Sequence, residues 1–297
     1  MHVTFRQLRL FLALADKGSV SRAAAAMHVT QPTASAQLRE VSEAVGLPLY
    51  EVIGRRVFLT DAGRQLAQTA RGMLDQWEAF AQHVDGVKGL SRGRLRVAAV
   101  STAKYFIPRL VGSFCKKHPA IDVSLEVLNR DGVLTRLKDN LDDIYIMSMP
   151  PDFIDLEDEV FMENPLVIIA ARSAFPKSAP QMTLPQLGGQ RFILREPGSG
   201  TRMATDRHFA RRRFVPDVRL ELGSNEAIKE AVAGGLGLGV VSAHALQGAH
   251  GVKDLRVLDV EGFPISSLWH VVHPRAKLLS PIATAFRAHL LAHAPRL

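Results

Sequence analysis

The fold is decided by the stretch of residues 31–41, which reads QPTASAQLREV. Thr30 immediately before it is a candidate N-cap and Pro32 falls in the first turn, so the stretch predicts the start of a helix. Outward toward the N-terminus, residues 28–30 form a predicted turn, and the alanine-rich residues 19–27 predict a shorter helix. Two helices joined by a short turn are typical of a helix-turn-helix.

The elements on either side complete a winged helix-turn-helix. Residues 57–60 close a hairpin around a basic tip at residues 54–56. A first helix with a single apolar stripe is predicted by the spacing of Phe5, Leu8, Leu12 and Ala15. This order of elements presents one helix to the major groove of DNA.

The third helix divides into two faces at about 100° per residue. The face predicted to pack on the first two helices consists of Ala34, Leu38, Val41 and Val45. The opposite face and its margins carry short or polar side chains that suit base edges, while arginines on the second helix and the wing suit phosphates. The candidate DNA contacts are Arg22, Gln31, Pro32, Thr33, Ser35, Ala36, Gln37, Arg39, Arg55 and Arg56. For any single one of them, the alternative is a helical bundle with a solvated polar face.

Five short motifs carry a family resemblance. They are FRQL at 5–8, SRAAAA at 21–26, QPTAS at 31–35, LT at 59–60 and AG at 62–63. Through these motifs residues 1–63 resemble the DNA-binding domain of LysR-type transcriptional regulators, and the resemblance extends over the whole chain and its domain order. Val52, two places after the aromatic Tyr50, stands where many members carry an arginine. We therefore expect Arg55 and Arg56 to make that phosphate contact.

The length and composition limit which classes of protein this chain can belong to. A length of 297 residues suits two or three domains, and a net charge of +8 favours polyanionic partners. There is neither a run of about 18 apolar residues nor a charged-then-apolar leader, so we expect a cytoplasmic chain that does not enter a membrane. The single cysteine, Cys115, excludes an internal disulfide and a cysteine-based zinc site. We expect neither a metal nor a cofactor.

From Asp61 onward the pattern becomes that of one long helix. Its apolar residues recur at alternating steps of four and three. They are Leu66, Ala70, Met73, Trp77, Phe80, Val84 and Val87. Such a seam predicts that residues 61–90 pair two chains, and a dimer would read two half-sites of an inverted repeat. The alternative is that the helix packs on the body of its own chain.

Residues 91–297 alternate between predicted strands and helices, which indicates an α/β domain with a parallel sheet. The predicted strands are 95–100, 121–127, 144–147, 166–170, 191–194, 218–222, 239–242 and 267–272. The predicted helices are 103–117, 133–139, 201–213, 225–233 and 282–292. The family resemblance implies a two-lobed effector domain like a periplasmic binding protein. Its lobe I would span about 91–164 and 268–297, and its lobe II about 165–267.

In such an architecture a ligand lies between the lobes, at strand C-termini and helix N-termini. Three predicted helix starts offer free N–H groups and the positive end of a helix dipole, which suit an anion. The candidate effector residues are Ser101, Thr102, Lys104, Asn129, Arg130, Ser148, Ser199, Thr201, Arg202 and Asn225. Taken singly, each serine or threonine is also explained as a simple helix N-cap.

Four segments of the effector region carry a narrower resemblance. They are residues 101–106, 140–147, 195–202 and 224–229. Together they resemble the regulators of Calvin-cycle (RuBisCO) operons, which sense phosphorylated metabolites or nicotinamide nucleotides. The resemblance implies a small anionic effector. Relatives that serve other pathways, such as sulfur or aromatic-acid metabolism, can carry the same motifs.

The sequence thus predicts a ligand-responsive transcription factor and not an enzyme. DNA binding is expected in residues 1–60, pairing in 61–90 and sensing in 91–297. The expected partners are double-stranded DNA, a small anionic metabolite, and further copies of the chain in a homodimer that builds a homotetramer, with RNA polymerase as a further candidate. Two alternatives are a solute-binding protein with an added N-terminal domain and an enzyme on the same two-lobed fold, although no catalytic constellation stands out.

Overall fold

The computed structural model describes residues 2–54, 56–87, 92–175, 180–247 and 253–294, except for the side chains of residues 82, 83 and 85–87. The chain divides into two units. One comprises Met1–Val84 with Asp139–Leu141, and the other comprises Asp85–Lys138 with Asp142–Leu297. Among the described residues, no helix combines the length and the apolar character needed to cross a bilayer.

The N-terminal unit opens with three helices whose starts are fixed by local capping. Helix α1 runs over Phe5–Lys17, and the hydroxyl of Thr4 accepts a hydrogen bond from its first turn. Helix α2 runs over Val20–Ala26 and α3 over Gln31–Val45. The predicted N-cap of α3 is confirmed, because the Thr30 hydroxyl accepts a hydrogen bond from a backbone N–H in the first turn.

The core of this unit joins the inner faces of α1 and α3. Its buried residues from the two helices are Leu8, Leu10, Phe11, Leu14, Ala34, Leu38 and Val41. The predicted inner face of α3 is confirmed, with Val45 partly buried. The predicted stripe of α1 is partly wrong, because Phe5 is 40% exposed and Leu12 and Ala15 are only partly buried. Phe5 packs its ring against Trp77, with 5.7 Å between the ring centroids.

A hairpin and a long helix follow. Strands β1 (Tyr50–Ile53) and β2 (Arg56–Leu59) pair in antiparallel fashion, as predicted for the wing. Helix α4 runs over Asp61–Val87. Its first turn lies against the hairpin so closely that a Cβ on Gly63 would be 1.9 Å from the carbonyl oxygen of Leu49. Only glycine allows this approach.

The first sheet of the second unit has five strands in the order β4-β3-β5-β12-β6. They are β3 (Gly93–Val100), β4 (Ile121–Leu128), β5 (Ile144–Met147), β6 (Leu156–Glu163) and β12 (Leu268–Pro274). Strands β3, β4 and β5 are parallel, whereas β12 runs antiparallel to both β5 and β6. The helices whose apolar faces share its core are α5 (Ile107–Lys117), α6 (Arg130–Lys138) and α9 (Pro281–His293).

The second sheet also has five strands, in the order β11-β7-β10-β8-β9. They are β7 (Leu166–Ala171), β8 (Arg191–Arg195), β9 (Asp217–Leu222), β10 (Leu238–Ser242) and β11 (Leu255–Val257). Strands β8, β9 and β10 are parallel, whereas β7 runs antiparallel to β10 and β11. Helix α7 (Gly200–Arg211) follows β8, and helix α8 (Asn225–Ala233) follows β9.

Three details of the prediction are wrong. The sheets are mixed and not purely parallel, because the chain crosses from one sheet to the other after β6 and returns before β12. Strands β6 and β11 were not predicted, since β6 is rich in acidic residues and β11 has only three residues. The helix predicted at 103–117 is a 3-10 helix, η1 (Ser101–Tyr105), followed by α5. Pro108 has no N–H to continue one helix through this point.

Candidate functional site

The outer face of α3 is open and polar. Gln31, Pro32, Thr33, Ala36 and Arg39 are exposed, and Ser35 and Gln37 are partly buried. The amide of Gln31 donates a hydrogen bond of 3.0 Å to the hydroxyl of Ser35 one turn later. This contact holds a donor–acceptor group at the N-terminal end of α3, which is the end that reads base edges in helix-turn-helix proteins.

Three arginines of the N-terminal unit have no carboxylate partner among the described residues. They are Arg22 on α2, Arg39 on α3 and Arg56 at the start of β2, and all three are exposed. Glu40, next to Arg39, is bound elsewhere, since it accepts a hydrogen bond of 2.9 Å from Gln7. Arg55 lies outside the described residues. Unpaired exposed arginines beside a reading helix suit contacts to phosphates.

Part of the apolar seam predicted on helix α4 is exposed in the structure. Leu66 packs on the core of the N-terminal unit, and Ala70 is fully buried. Further along, Met73, Trp77 and Phe80 are 47%, 51% and 57% exposed. The rings of Trp77 and Phe80 lie 5.8 Å apart, so they form one apolar stripe. Val84 is partly buried, and the side chain of Val87 is outside the described part.

In the second unit η1, β8 and α8 meet around one buried arginine, and we call this group of contacts the Arg195 cleft. Arg195 ends β8 and is only 3% exposed. One guanidinium nitrogen donates to the hydroxyl of Thr102 at 3.3 Å and to the amide oxygen of Asn225 at 3.4 Å. The other donates to the hydroxyl of Ser101 at 3.3 Å. This buried cation links η1, which follows β3 of the first sheet, to β8 of the second sheet and to α8, which follows β9 of that sheet.

Two carboxylates neutralise the cations of this cleft. Glu196 accepts hydrogen bonds of 2.7 and 2.8 Å from Arg195. Glu226 accepts bonds of 2.6 Å from both Lys104 and Tyr105. Burial raises the pKa of the Tyr105 hydroxyl above its ordinary value, and the hydrogen bond to Glu226 raises it further. Burial acts to raise the pKa of Glu226, but the hydrogen bonds from Lys104 and Tyr105 hold that pKa below its usual 4.5.

Serine and threonine side chains gather at the start of α7. The hydroxyl of Ser199 accepts a hydrogen bond of 3.1 Å from the backbone N–H of Arg202, so Ser199 is an N-cap. Ser148 and Thr201 are buried, and neither hydroxyl has a side-chain hydrogen bond to another described residue. A Cβ on Gly200 would lie 2.3 Å from the hydroxyl oxygen of Ser148. The glycine thus lets the end of β5 reach the N-terminus of α7.

Asn129 and Arg130 stand at the start of α6. The side-chain oxygen of Asn129 accepts a hydrogen bond of 2.9 Å from the N–H of Gly132, as a cap does. Arg130 donates a bond of 2.9 Å to the carbonyl oxygen of Met149, but its Nε is buried without a partner among the described residues. Burial also lowers the pKa of Arg130. A partly desolvated guanidinium with a spare donor is suited to an anion.

Comparison with known proteins decides the family. The profile described as "Bacterial regulatory helix-turn-helix protein, lysR family" matches residues 5–64, and the one described as "LysR substrate binding domain" matches residues 88–295. The chain belongs to the LysR-type transcriptional regulators. The sequence-based expectations of this family, of its winged helix-turn-helix plus two-lobed fold and of a regulator instead of an enzyme are thereby confirmed.

Relatives of this LysR-type regulator match along nearly its whole length. It is 41% identical to the HTH-type transcriptional activator CmpR of Synechocystis, over 98% of this chain and 96% of the relative. It is 43% identical to a RuBisCO operon transcriptional regulator of Acidithiobacillus ferrooxidans, over 98% of this chain and 94% of the relative. These are the relatives that the narrower resemblance predicted.

Solved structures agree at the level of the fold. The Synechocystis CcmR regulatory domain in complex with 2-PG is 45% identical, with a TM-score of 0.65, and covers 69% of this chain and 100% of that chain. Full-length OxyR from Pseudomonas aeruginosa has a TM-score of 0.78 over 98% of this chain and 94% of that chain, at 20% identity. The second likeness concerns the fold alone.

One predicted effector residue of the LysR-type regulator is placed otherwise than expected. The guanidinium of Arg202 binds Asp206 at 2.9 Å, Glu221 at 2.6 Å and the carbonyl oxygen of Arg195 at 2.9 Å. These contacts favour a role for Arg202 as a brace for Arg195, and a direct contact of Arg202 with the ligand stays an untested prediction. Arg195 itself was not among the predicted site residues. Its signal was an arginine directly after the apolar run FIL of the strand RFILR.

Proposed function

We propose that this LysR-type regulator controls carbon-fixation genes in response to a small phosphorylated metabolite that binds in the Arg195 cleft. The observation that carries this proposal is the buried guanidinium of Arg195, which contacts Ser101, Thr102 and Asn225 at once. A second cation, Arg130, has a buried donor without a described partner. The relative from Acidithiobacillus ferrooxidans is a RuBisCO operon transcriptional regulator, and the 45% identical CcmR domain was solved with 2-PG.

The proposed DNA contacts are the outer face of α3 and the arginines beside it. The residues are Arg22, Gln31, Pro32, Thr33, Ser35, Ala36, Gln37, Arg39, Arg55 and Arg56. The support is the exposure of Arg22, Gln31, Pro32, Thr33, Ala36, Arg39 and Arg56, and the absence of carboxylate partners for the three arginines among these within the described chain. Short side chains at Pro32 and Ala36 leave room for close approach to bases.

The proposed assembly is a dimer through α4, with two dimers in a tetramer. The exposed stripe of Met73, Trp77 and Phe80 supports pairing, because aromatic side chains so placed are typical of interface anchors. Ala70 is buried within its own chain, so the pairing surface would begin beyond it. A two-fold dimer would place two copies of α3 on an inverted repeat of double-stranded DNA.

The proposed domain limits are 1–60, 61–90 and 91–297, with lobe II at about 165–267. The strand membership of the two sheets supports the lobes, since β7 to β11 form one sheet and β3 to β6 with β12 form the other. A regulator that binds chromosomal DNA would act in the cytoplasm and could contact RNA polymerase there.

The proposed mechanism is a population shift between lobe arrangements. Glu226 and Glu196 already occupy Lys104 and Arg195 as internal anions. A phosphorylated effector would compete with these carboxylates and would favour the arrangement in which the cations face the ligand. That shift would change the spacing of the DNA-binding dimers and the bending of the operator.

The test is calorimetric titration of the full chain with 2-phosphoglycolate, with glycolate, sulfate and benzoate as comparison ligands. Thr102→Val removes the hydroxyl that Arg195 and Asn225 bind, and Thr135→Val makes the same change at an exposed site on α6. Because the Thr102 hydroxyl only accepts from Arg195 and Asn225, its own proton is left to donate to the ligand. We expect binding of 2-phosphoglycolate to weaken at least tenfold in T102V, because a hydrogen bond to a charged group contributes about 1.5–3 kcal/mol. T135V should behave as wild type. Binding of only sulfate or benzoate would assign the regulator to another pathway.

A further inference from the structure

Helix α7 borders a second cavity, which we call the α7 cavity. Its volume is about 250 Å³. The cavity is lined by a single face of α7, by the segment at 265–268 with His270 of β12, and by Met149. Because α7 follows a strand of the second sheet and β12 belongs to the first, the cavity touches both lobes. It shares no residue with the Arg195 cleft.

The α7 wall of the cavity carries two uncompensated charges. Arg207 and Arg211 lie four residues apart, so their side chains stand one above the other on the helix. Both are exposed, and neither has a carboxylate partner among the described residues. The nearest acidic side chain in the helix sequence, Asp206, is bound to Arg202. Two adjacent like charges destabilise a helix unless an anion lies between them.

Polar groups in the lining of the cavity also lack partners among the described residues. The Nε2 atom of His208 is buried and has no hydrogen bond to the described chain. Burial lowers the pKa of His208, and the charges of Arg212 and Arg211 lower it further. The hydroxyl groups of Ser266 and Ser267 add two more donors to this lining. Orphaned buried polar atoms in native proteins call for a partner, and a ligand supplies one.

We infer that the α7 cavity is a second effector site for a small organic acid with two negative charges. Two charges would neutralise Arg207 and Arg211, and a short carbon backbone would contact Ala204, Ile265 and Leu268. The volume is below the roughly 300–1,000 Å³ of sites for drug-sized ligands, so the occupant must be small. Phosphate monoesters and dicarboxylates share this chemistry. Because the ligand would contact both lobes, it would favour one arrangement of the lobes without occupying the Arg195 cleft.

The test uses the full chain, with inorganic phosphate and malonate as probes for the two acid classes. The variant Arg207→Ala/Arg211→Ala removes both charges from an exposed helix face. The control Arg213→Asn/Arg219→Ala removes two charges outside the cavity, and asparagine suits the positive φ of 52° at residue 213. Beside any anion binding in the Arg195 cleft, we expect calorimetry to show a site that weakens at least tenfold in R207A/R211A and is unchanged in the control.

A crystal grown with selenate separates this site from the Arg195 cleft, because the anomalous signal locates the divalent anion directly. Selenate between Arg207 and Arg211 would support the inference even if the cleft remained empty. Selenate only in the cleft, or equal binding of malonate and phosphate by wild type and R207A/R211A, would overturn it. A preference for phosphate over malonate, or the reverse, would identify the acid class.

Discussion

The contact of Glu226 with Lys104 offers the sharpest test of the Arg195 cleft. If Glu226 is an internal anion that the effector displaces, Glu226→Gln should increase effector affinity. The amide would still accept the hydrogen bond from Tyr105 but would no longer hold the ammonium group of Lys104 by charge. The variant therefore removes the competitor with little change in shape.

The size of the effect follows from the exposure of the pair. The side chains of Lys104 and Glu226 are 38% and 46% exposed, so solvent screens their attraction. Ion pairs of this kind contribute about 0.2–1 kcal/mol. In E226Q the effector would no longer have to break this ion pair, so the dissociation constant of 2-phosphoglycolate would fall about 1.4- to 5-fold. Without ligand, the same amount would be lost from the free energy of unfolding.

The assay is calorimetric titration of the full chain beside the control Glu230→Gln. Glu230 is an exposed residue on the same helix with no partner among the described residues, so E230Q changes the net charge equally. Tighter binding in E226Q alone would support the displacement of an internal anion. Equal gains in both variants would reveal a general charge effect. Weaker binding in E226Q would refute the reasoning, since Glu226 would then assist the ligand.

The other predictions concern stability, pairing and pH. Thr30→Ala removes the cap of α3 and should lower the unfolding free energy of the N-terminal unit by about 1 kcal/mol in urea titrations; Ser19→Ala, at a cap without a side-chain hydrogen bond, should change it much less. Trp77→Ala should weaken self-association at least tenfold in sedimentation, and wild-type-like dimers would reject α4 as the pairing surface. Arg202→Ala should lower the melting temperature without abolishing effector binding. Because the folded pKa of Glu226 is depressed, its stabilising contribution is present above about pH 4.5 and is lost as the pH falls through the folded pKa; E226Q should flatten that part of the acid-unfolding curve.

Much of the N-terminal unit could be predicted because its structure is local. The inner face of α3 follows from a period of 3.6 residues, and its start follows from Thr30 and Pro32. Phe5 was misplaced because its partner, Trp77, is 72 positions away in the sequence. No pattern within a single helix can show such a contact.

The effector region was predictable in its elements but less so in its contacts. Strand β6 was not predicted because four of its eight residues are acidic. The antiparallel direction of β7 and β12 depends on crossings between the sheets that alternation does not show. Arg202 was assigned to the ligand from its place at a helix start. Asp206, four residues later, could have indicated an ion pair, whereas Glu221 is brought near only by folding. Arg195 was missed because its partners Ser101, Thr102 and Asn225 are brought to it only by folding.

The place of β12 has a consequence for the order in which the protein forms during synthesis. This strand lies between β5 and β6, yet it is made more than 100 residues after them. The sheet of β7 to β11 is continuous in sequence and can close while the chain is still being made. The other sheet must wait with β5 and β6 unpaired along the edges that β12 will fill. A nascent chain can thus display a finished DNA-reading domain before any complete sensor exists to govern it.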